Sequence, residues 1–337
     1  MIARIKRTRF YAKYVRLRKT NSEQFQNTLT EEADCYCAFD SADKKKVKKD
    51  MKKAYVNYRF SPSEYVDFRL YGKKAHEIRE YYSLEELREV FIRGKLNTLK
   101  KNKYEKYCLL SDFFHRDVIR IDGTADSGRY LEFCKKHGSF VSKPIKGTKG
   151  HGVRLVSSSE ADSVEKLARI VELPVILEQL IRQGEELRAF HPSSVNTVRV
   201  VSFLDQEGAF TVLFALFRCG QGGSLVDNVG SGGLISMIDT KTGRIVSDAL
   251  FHHKLYQRHP DTGLEFKNTT MPQWEQLMQI VEKAHRSVPQ QRVIGWDFAW
   301  SQNGWDMVEL NPAPSFASYQ TLTGKGIRPK LQEIGLF

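Results

Sequence analysis

Asp297, Glu309 and Asn311 are spaced for chemistry near one end of this sequence. Asp297 interrupts an apolar and aromatic run, VIGWDFAW, the pattern of a buried strand carrying a single carboxylate. Gln302-Asn303-Gly304 then predicts a hairpin turn, and the chain returns as WDMVELN. Side chains two apart on a strand share a face, so Glu309 and Asn311 point the same way. Antiparallel pairing brings all three to one end of the hairpin. Two carboxylates and an amide oxygen are hard ligands suited to Mg²⁺, and such sites usually hold substrate phosphates as well. A buried carboxylate is costly without a partner, which makes a cation a reasonable companion. The same pattern also describes a plain hairpin with two solvated acids.

A second stretch, FVSKPIKGTKGHGVRLV at 140–156, predicts a strand delivering Lys143, then a loop containing Gly147, Gly150 and Gly152, then another strand. Glycines free the backbone so that its N–H groups can turn toward phosphate oxygens. Lys143 offers a mobile positive charge, and Lys146 and Lys149 add potential. A hairpin with a basic turn is the alternative. In VILEQLIRQGEELRAF, an apolar strand runs into Glu178-Gln179. The free backbone groups of a strand end can bond an adenine edge, and Glu186, eight residues on from Glu178, can take ribose hydroxyls. A strand with a polar turn fits equally. NTVRVVSF and FTVLFALFR read as paired strands, and Arg199 interrupts the first. A buried arginine is rare unless it meets an anion. DNVGSGG, with Asn228, is a second glycine loop.

The elements that must position these residues belong to an α+β chain of 337 residues, long enough for two or three subdomains. Its net charge of +13 sits mostly in residues 1–106, which hold 27 Lys and Arg against 15 Asp and Glu. An anionic partner or a solvated helical face would explain that excess. Residues 1–19 carry eight basic residues, no acid and interleaved apolar side chains, as a helix lying on an anionic membrane would. Ser61-Pro62 and Ser83-x-x-Glu86 are helix starts, so the region to about residue 100 reads as mainly helical. Neither zinc-finger nor RNA-stacking signatures occur, and no nucleic-acid partner is expected. Five scattered cysteines, Cys35, Cys37, Cys108, Cys134 and Cys219, fit free thiols in a reducing compartment. No apolar run is long enough to cross a bilayer, and no signal-peptide core follows the basic start. The expected location is cytoplasmic, with peripheral contact at the inner membrane face through the basic N-terminus.

In combination the segments NKYEKY (102–107), FVSKPIKGTKGHGV, NTVRVV, VDNVGSGG, HPDTG and GWDFAW…MVELNPAPS resemble the ATP-grasp superfamily, and most closely its sugar-transfer-associated family. The resemblance covers about residues 100–337. It implies two α+β subdomains clamping ATP, at 101–180 and 181–337, after a basic, mainly helical region at 1–100. It further implies that Lys103 and Lys143 contact the nucleotide. Residues 147–152, with Gly147, Lys149, Gly150, His151 and Gly152, would form a flap over the phosphates. Glu178, Gln179 and Leu180 would read adenine, and Glu186 would hold ribose. Asp297, Glu309 and Asn311 would bind two Mg²⁺ ions, with Mn²⁺ able to substitute. Arg199, Arg218 and Asn228 would line the transferring phosphate. Many ligases of the superfamily carry an arginine two residues before the first metal carboxylate, where this chain has Gly295. The implied activity is carboxylate–amine ligation through an acyl phosphate, in polysaccharide or cell-surface biosynthesis, on an acid and an amine of which one is anionic or sugar-linked. A kinase acting on a sugar or polyol hydroxyl would use the same ATP site. The oligomeric state is not implied.

Overall fold

A computed structural model describes residues 9–94, 96, 98–99, 101–147, 151–223 and 233–336. The chain divides into two units, Met1–Lys95 with Ser315–Phe337, and Leu96–Pro314.

The first unit is helical, with α1 (Arg9–Lys19), α2 (Glu23–Phe39), α3 (Lys44–Tyr58), α4 (Pro62–Asp67), α5 (Ala75–Ile78) and α6 (Leu84–Arg93). Short polar residues start four of these helices because their side-chain oxygens accept from backbone N–H groups left open in the first turn. Ser22 accepts from Phe25 N, and Asp43 from Lys45 N and Lys46 N. Ser61 and Glu64 cap one another reciprocally, with Pro62 at the first helical position. Ser83 accepts from Glu86 N. The periodic apolar positions Leu29, Ala33, Val47, Met51, Tyr65 and Phe68 then meet in one core.

The second unit holds two antiparallel sheets. The smaller is built from β1 (Val118–Ile121), β2 (Ser139–Pro144), β3 (Arg154–Ser157) and β4 (Val175–Gln179), in the order β1-β4-β2-β3. With it go α7 (Lys103–Leu109), α8 (Ser127–Lys136) and α9 (Val164–Ile170). Strand alternation gives this sheet two unlike faces. Ile121, Phe140, Val175 and Leu177 pack with Tyr130 and Phe133 of α8 and Val164 and Leu167 of α9. Val118, Val141, Lys143, Ile176 and Glu178 point the other way, into a cavity.

The larger sheet contains β5 (Thr197–Leu204), β6 (Phe210–Cys219), β7 (Leu234–Ile238), β8 (Ala249–Phe251), β9 (Lys254–Tyr256), β10 (Val293–Ser301) and β11 (Gly304–Asn311). Their order is β11-β10-β5-β6-β7-β8-β9. Two helices accompany it, α10 (Glu185–Arg188) and α11 (Trp274–Arg286). Val198, Val200, Trp296, Phe298 and Trp300 share one core with Leu277, Val281 and Ala284 of α11. The β10–β11 connection is the expected tight turn, and Gly304 adopts φ +100°, a conformation open to glycine and strained for other residues.

The C-terminal helices α12 (Ala317–Thr323) and α13 (Arg328–Glu333) depart from the expected boundary. Residues 315–337 were expected to continue the 181–337 subdomain, yet they fold with the helical unit. Gln320 explains this: its buried amide accepts from Tyr82 N at 2.8 Å and donates to Tyr82 O at 2.9 Å. Arg328 stacks over the Tyr82 ring at 3.7 Å and pairs with Glu86 at 2.8 Å. A single glutamine that completes a distant backbone leaves no periodic trace in sequence. All five cysteines are free thiols.

Candidate functional site

A cavity of about 230 Å³ lies between the two sheets of the second unit. Among the described residues five cationic side chains line it, Lys103, Lys106, Arg116, Lys143 and Arg218, against three carboxylates, Glu178, Asp297 and Glu309. Val118, Val141, Ile176, Leu180 and Leu310 add an apolar wall. Apolar walls with a few convergent polar groups are the usual form of a small-molecule site.

Asp297 is the centre of the charged part. Strand register places it directly opposite Arg199 of β5 and Glu309 of β11. A β-bulge follows, because Phe298 pairs with Met307 and leaves Val308 as an extra residue. Bulges re-aim side chains, and this one puts Val308, Glu309 and Leu310 together on the cavity wall. Asp297 is 4% exposed. Arg199 donates to both of its oxygens, at 2.6 and 2.5 Å. Arg218 Nη1 donates to Oδ2 at 3.1 Å and Asn311 Nδ2 at 3.2 Å. Burial alone would push the Asp297 carboxyl up, but the two guanidinium groups outweigh it and hold it below its ordinary value. Gly295 permits this arrangement. A Cβ there would lie 2.9 Å from Pro314 Cβ, so no side chain fits, and the positive charge beside Asp297 comes from β5 and β6 instead.

Glu309 differs from Asp297. It makes no hydrogen bond or ion pair among the described residues and faces the cavity. Its charge opposes the effect of burial on Lys103 and Lys106, whose ammonium groups burial pushes below their ordinary range. The donors suit a hard cation: two carboxylates and an amide oxygen. Glu309 is free to bind one. Asp297 accepts four hydrogen bonds, three on Oδ2 and one on Oδ1, so Oδ1 is the oxygen with a lone pair left for an ion. Among the described residues no group of three or more His, Cys, Asp and Glu side chains could hold a metal by itself. An ion here would therefore complete its shell with Asn311, water or substrate oxygens.

A second charged chain runs from the smaller sheet to the larger. Lys143 Nζ meets Glu178 Oε1 at 2.8 Å. Arg116 Nε and Nη2 donate to Glu178 Oε2 at 3.1 and 2.6 Å. Arg116 Nη1 donates to Asp306 Oδ1 at 2.7 Å and to Met307 O at 2.6 Å. Burial would raise the Glu178 carboxyl, but Lys143 and Arg116 lower it to about 2.

The family described as sugar-transfer associated ATP-grasp matches residues 100–336. The chain belongs to the sugar-transfer associated ATP-grasp family. No curated protein matches it. Among solved structures, an ADP complex of N5-carboxyaminoimidazole synthetase from Staphylococcus aureus is similar, with 11% identity, a TM-score of 0.41, and coverage of 65% of this chain and 46% of that one. D-alanine–D-alanine ligase from Helicobacter pylori shows 14% identity, a TM-score of 0.41 and coverage of 70% and 57%. The ligase from Bacillus anthracis shows 12%, 0.40, and 70% and 62%. This chain thus spans about half to three fifths of the length of these proteins.

Within this ATP-grasp chain, the expected site residues fall into three groups. Lys103, Lys143, Glu178, Gln179, Leu180, Arg218, Asp297 and Glu309 line the cavity, and Arg199 and Asn311 bond to Asp297 from beside it. Glu186 is exposed, stands apart from the cavity lining and accepts from Trp300 Nε1 at 2.9 Å. Gly147, His151 and Gly152 also lie outside the lining, although Val153 is part of it. Lys149, Gly150 and Asn228 lie outside the described residues. One expectation needs correction. The Glu178 carboxylate is engaged by Lys143 and Arg116 rather than open to an adenine edge, and Gln179 accepts from Asp117 N at 3.1 Å through its amide oxygen, which leaves its NH2 group as the part able to meet a base. Leu180, just past the strand end, keeps a backbone outside the sheet ladder. The sequence reading missed Lys106 and Arg116. Lys106 was detectable, because it lies three residues from Lys103 on α7 and therefore on the same face. Arg116 precedes β1 without any pattern to mark it.

Proposed function

We propose that this cavity binds Mg²⁺-ATP and that the chain is an ATP-dependent carboxylate–amine ligase. The excess of cationic over anionic side chains on a partly apolar wall carries this reading, since that combination fits a flat base joined to a polyanion. Val118, Val141, Ile176 and Leu180 would take the base, and the Leu180 backbone its polar edge. Lys143 and Lys103 would hold phosphate oxygens. Glu309, Asn311 and Asp297 would hold the metal, which, when bound, neutralises charge on the phosphates and orients them.

The reaction needs positioning and charge neutralisation more than covalent help. A substrate carboxylate oxygen attacks the γ-phosphorus, the bond to the β-phosphate oxygen breaks, and ADP leaves. The amine then attacks the acyl carbon, the carbon–oxygen bond to phosphate breaks, and the amine loses a proton. Arg218 and Arg199 would neutralise charge on the moving phosphoryl group. The test is ATP turnover over panels of acids and amines, with mass analysis of products. Orthophosphate together with an amide supports ligation. Phosphate retained on a hydroxyl overturns it in favour of a kinase.

Lys143→Ala probes the nucleotide half. Arg116 remains bonded to Glu178 Oε2 in this variant, and a urea midpoint read beside the titration separates lost binding from lost stability. Loss of one charge-assisted bond should weaken ATP about tenfold to a hundredfold. Calorimetric titration with a nonhydrolysable ATP analogue measures it, and unchanged affinity would remove Lys143 from the site.

A further inference from the structure

The helical unit displays a feature that nucleotide chemistry does not use. Helix α1 contains no acid, and its last turn is basic. Tyr14, Val15 and Leu17 are 49%, 45% and 54% exposed, three large apolar side chains within four consecutive positions. Tyr14 and Leu17 are three apart and share a face. Lys13 and Arg18, both exposed, flank that face, being four residues from Leu17 and Tyr14 respectively. Arg16 turns inward instead, and its Nε donates to Val56 O of α3 at 3.3 Å. Against α1 lies α3, which buries Val47, Met51 and Ala54 and exposes Lys45, Lys46, Lys49 and Lys53. Its one acid, Asp50, is held inward by the Tyr65 hydroxyl at 2.7 Å.

We propose that α1 docks this chain on an anionic lipid bilayer, with Tyr14 and Leu17 entering the headgroup–acyl boundary and Lys13, Arg18 and the α3 lysines facing lipid phosphates. Charge complementarity identifies the partner, and the apolar residues distinguish it from nucleic acid. A phosphodiester backbone offers nothing to Leu17 and Val15, whereas an interfacial helix needs aliphatic and aromatic side chains on one face and basic ones beside them. Among the described residues no helix is long and apolar enough to cross a membrane, so α1 would lie on the surface.

The experiment is co-sedimentation of the full chain with phosphatidylcholine vesicles, with and without phosphatidylglycerol. Binding should require the anionic lipid and weaken as salt rises. Each basic side chain near the surface contributes enough that losing two lowers partitioning on the order of thirtyfold, and K13E/R18E, which also adds two negative charges, should lower it by at least that much. Tyr14→Ser with Leu17→Ser should lower it as well. K135E/K283E reverses two exposed charges in the other unit, changes net charge equally and should leave binding intact. The salt series on the unaltered chain needs no variant to fold. The proposal is overturned by absence of binding to anionic vesicles, by equal losses in the two charge-reversal pairs, or by full binding in either α1 variant. Capture of an RNA oligonucleotide through Lys13 and Arg18 without vesicle binding overturns it in favour of nucleic acid.

Discussion

Glu309→Gln should lower turnover sharply while leaving thermal stability nearly unchanged, and Asp297→Asn should damage both. The two residues face each other across β10 and β11, and from sequence both substitutions look equally harmless to the fold. The structure separates them. Glu309 has no hydrogen bond or ion pair to lose among the described residues, so its amide isostere removes a charge from the cavity wall, felt by Lys103 and Lys106, and little from the fold. Turnover should fall about a hundredfold to a thousandfold, the range for losing one preorganised charge contact to a reacting phosphate or its metal. Asp297 instead balances Arg199 and Arg218, and Arg218 is itself buried. Neutralising Asp297 removes the carboxylate charge that both guanidinium groups share in this buried cluster, at a cost of up to about 3–5 kcal/mol. Chemical denaturation of the two variants beside a steady-state ATP assay reads both effects. Full activity in Glu309→Gln would remove it from the site, and an unchanged midpoint in Asp297→Asn would show that water compensates the arginines.

That contrast shows where the sequence could and could not be read. The Asp297–Glu309–Asn311 grouping follows from period-two alternation and an Asn-Gly turn, both local signals. The bulge at Val308 is one extra residue in a strand and gives no such signal. Arg199 stood out because it interrupts an apolar strand, and the anion it demands is Asp297, its direct neighbour across β5 and β10. Arg218 was less visible, since it ends an apolar strand where a charge is ordinary. The engagement of Glu178 was illegible for a related reason. A strand-terminal carboxylate looks free in sequence, and only the position of Arg116, 62 residues earlier, shows that it is occupied. The helical unit was legible from its caps up to α6. Its completion by α12 and α13 was not, because Gln320 meets Tyr82 across 238 residues.

Arg116→Met should destabilise the chain by about 3–5 kcal/mol at neutral pH and should flatten its response to acid. Arg116 is the only cation bonded to both Glu178 and Asp306 among the described residues, and all three are buried. Methionine fills much of the volume but leaves two carboxylates undercompensated. The acid response follows from Glu178. Its carboxyl titrates at about 2 in the folded chain against an ordinary 4.5, so the ionised form favours folding. This stabilisation is complete above the ordinary value and is lost as pH falls from there toward about 2, and by linkage it amounts to roughly 3 kcal/mol. Without Arg116 only Lys143 holds the carboxyl down, so its titration moves back toward the ordinary value. The gap between parent and variant should accordingly be widest at neutral pH and shrink across the acid window. Urea midpoints at a series of pH values measure that gap, and a gap that stays constant with pH would mean that Arg116 acts through packing alone. Nucleotide titration supplies a second reading. With its ion-pair partner loosened, Lys143 loses its fixed position, and ATP affinity should fall in Arg116→Met although the residue's bonds all go to protein groups.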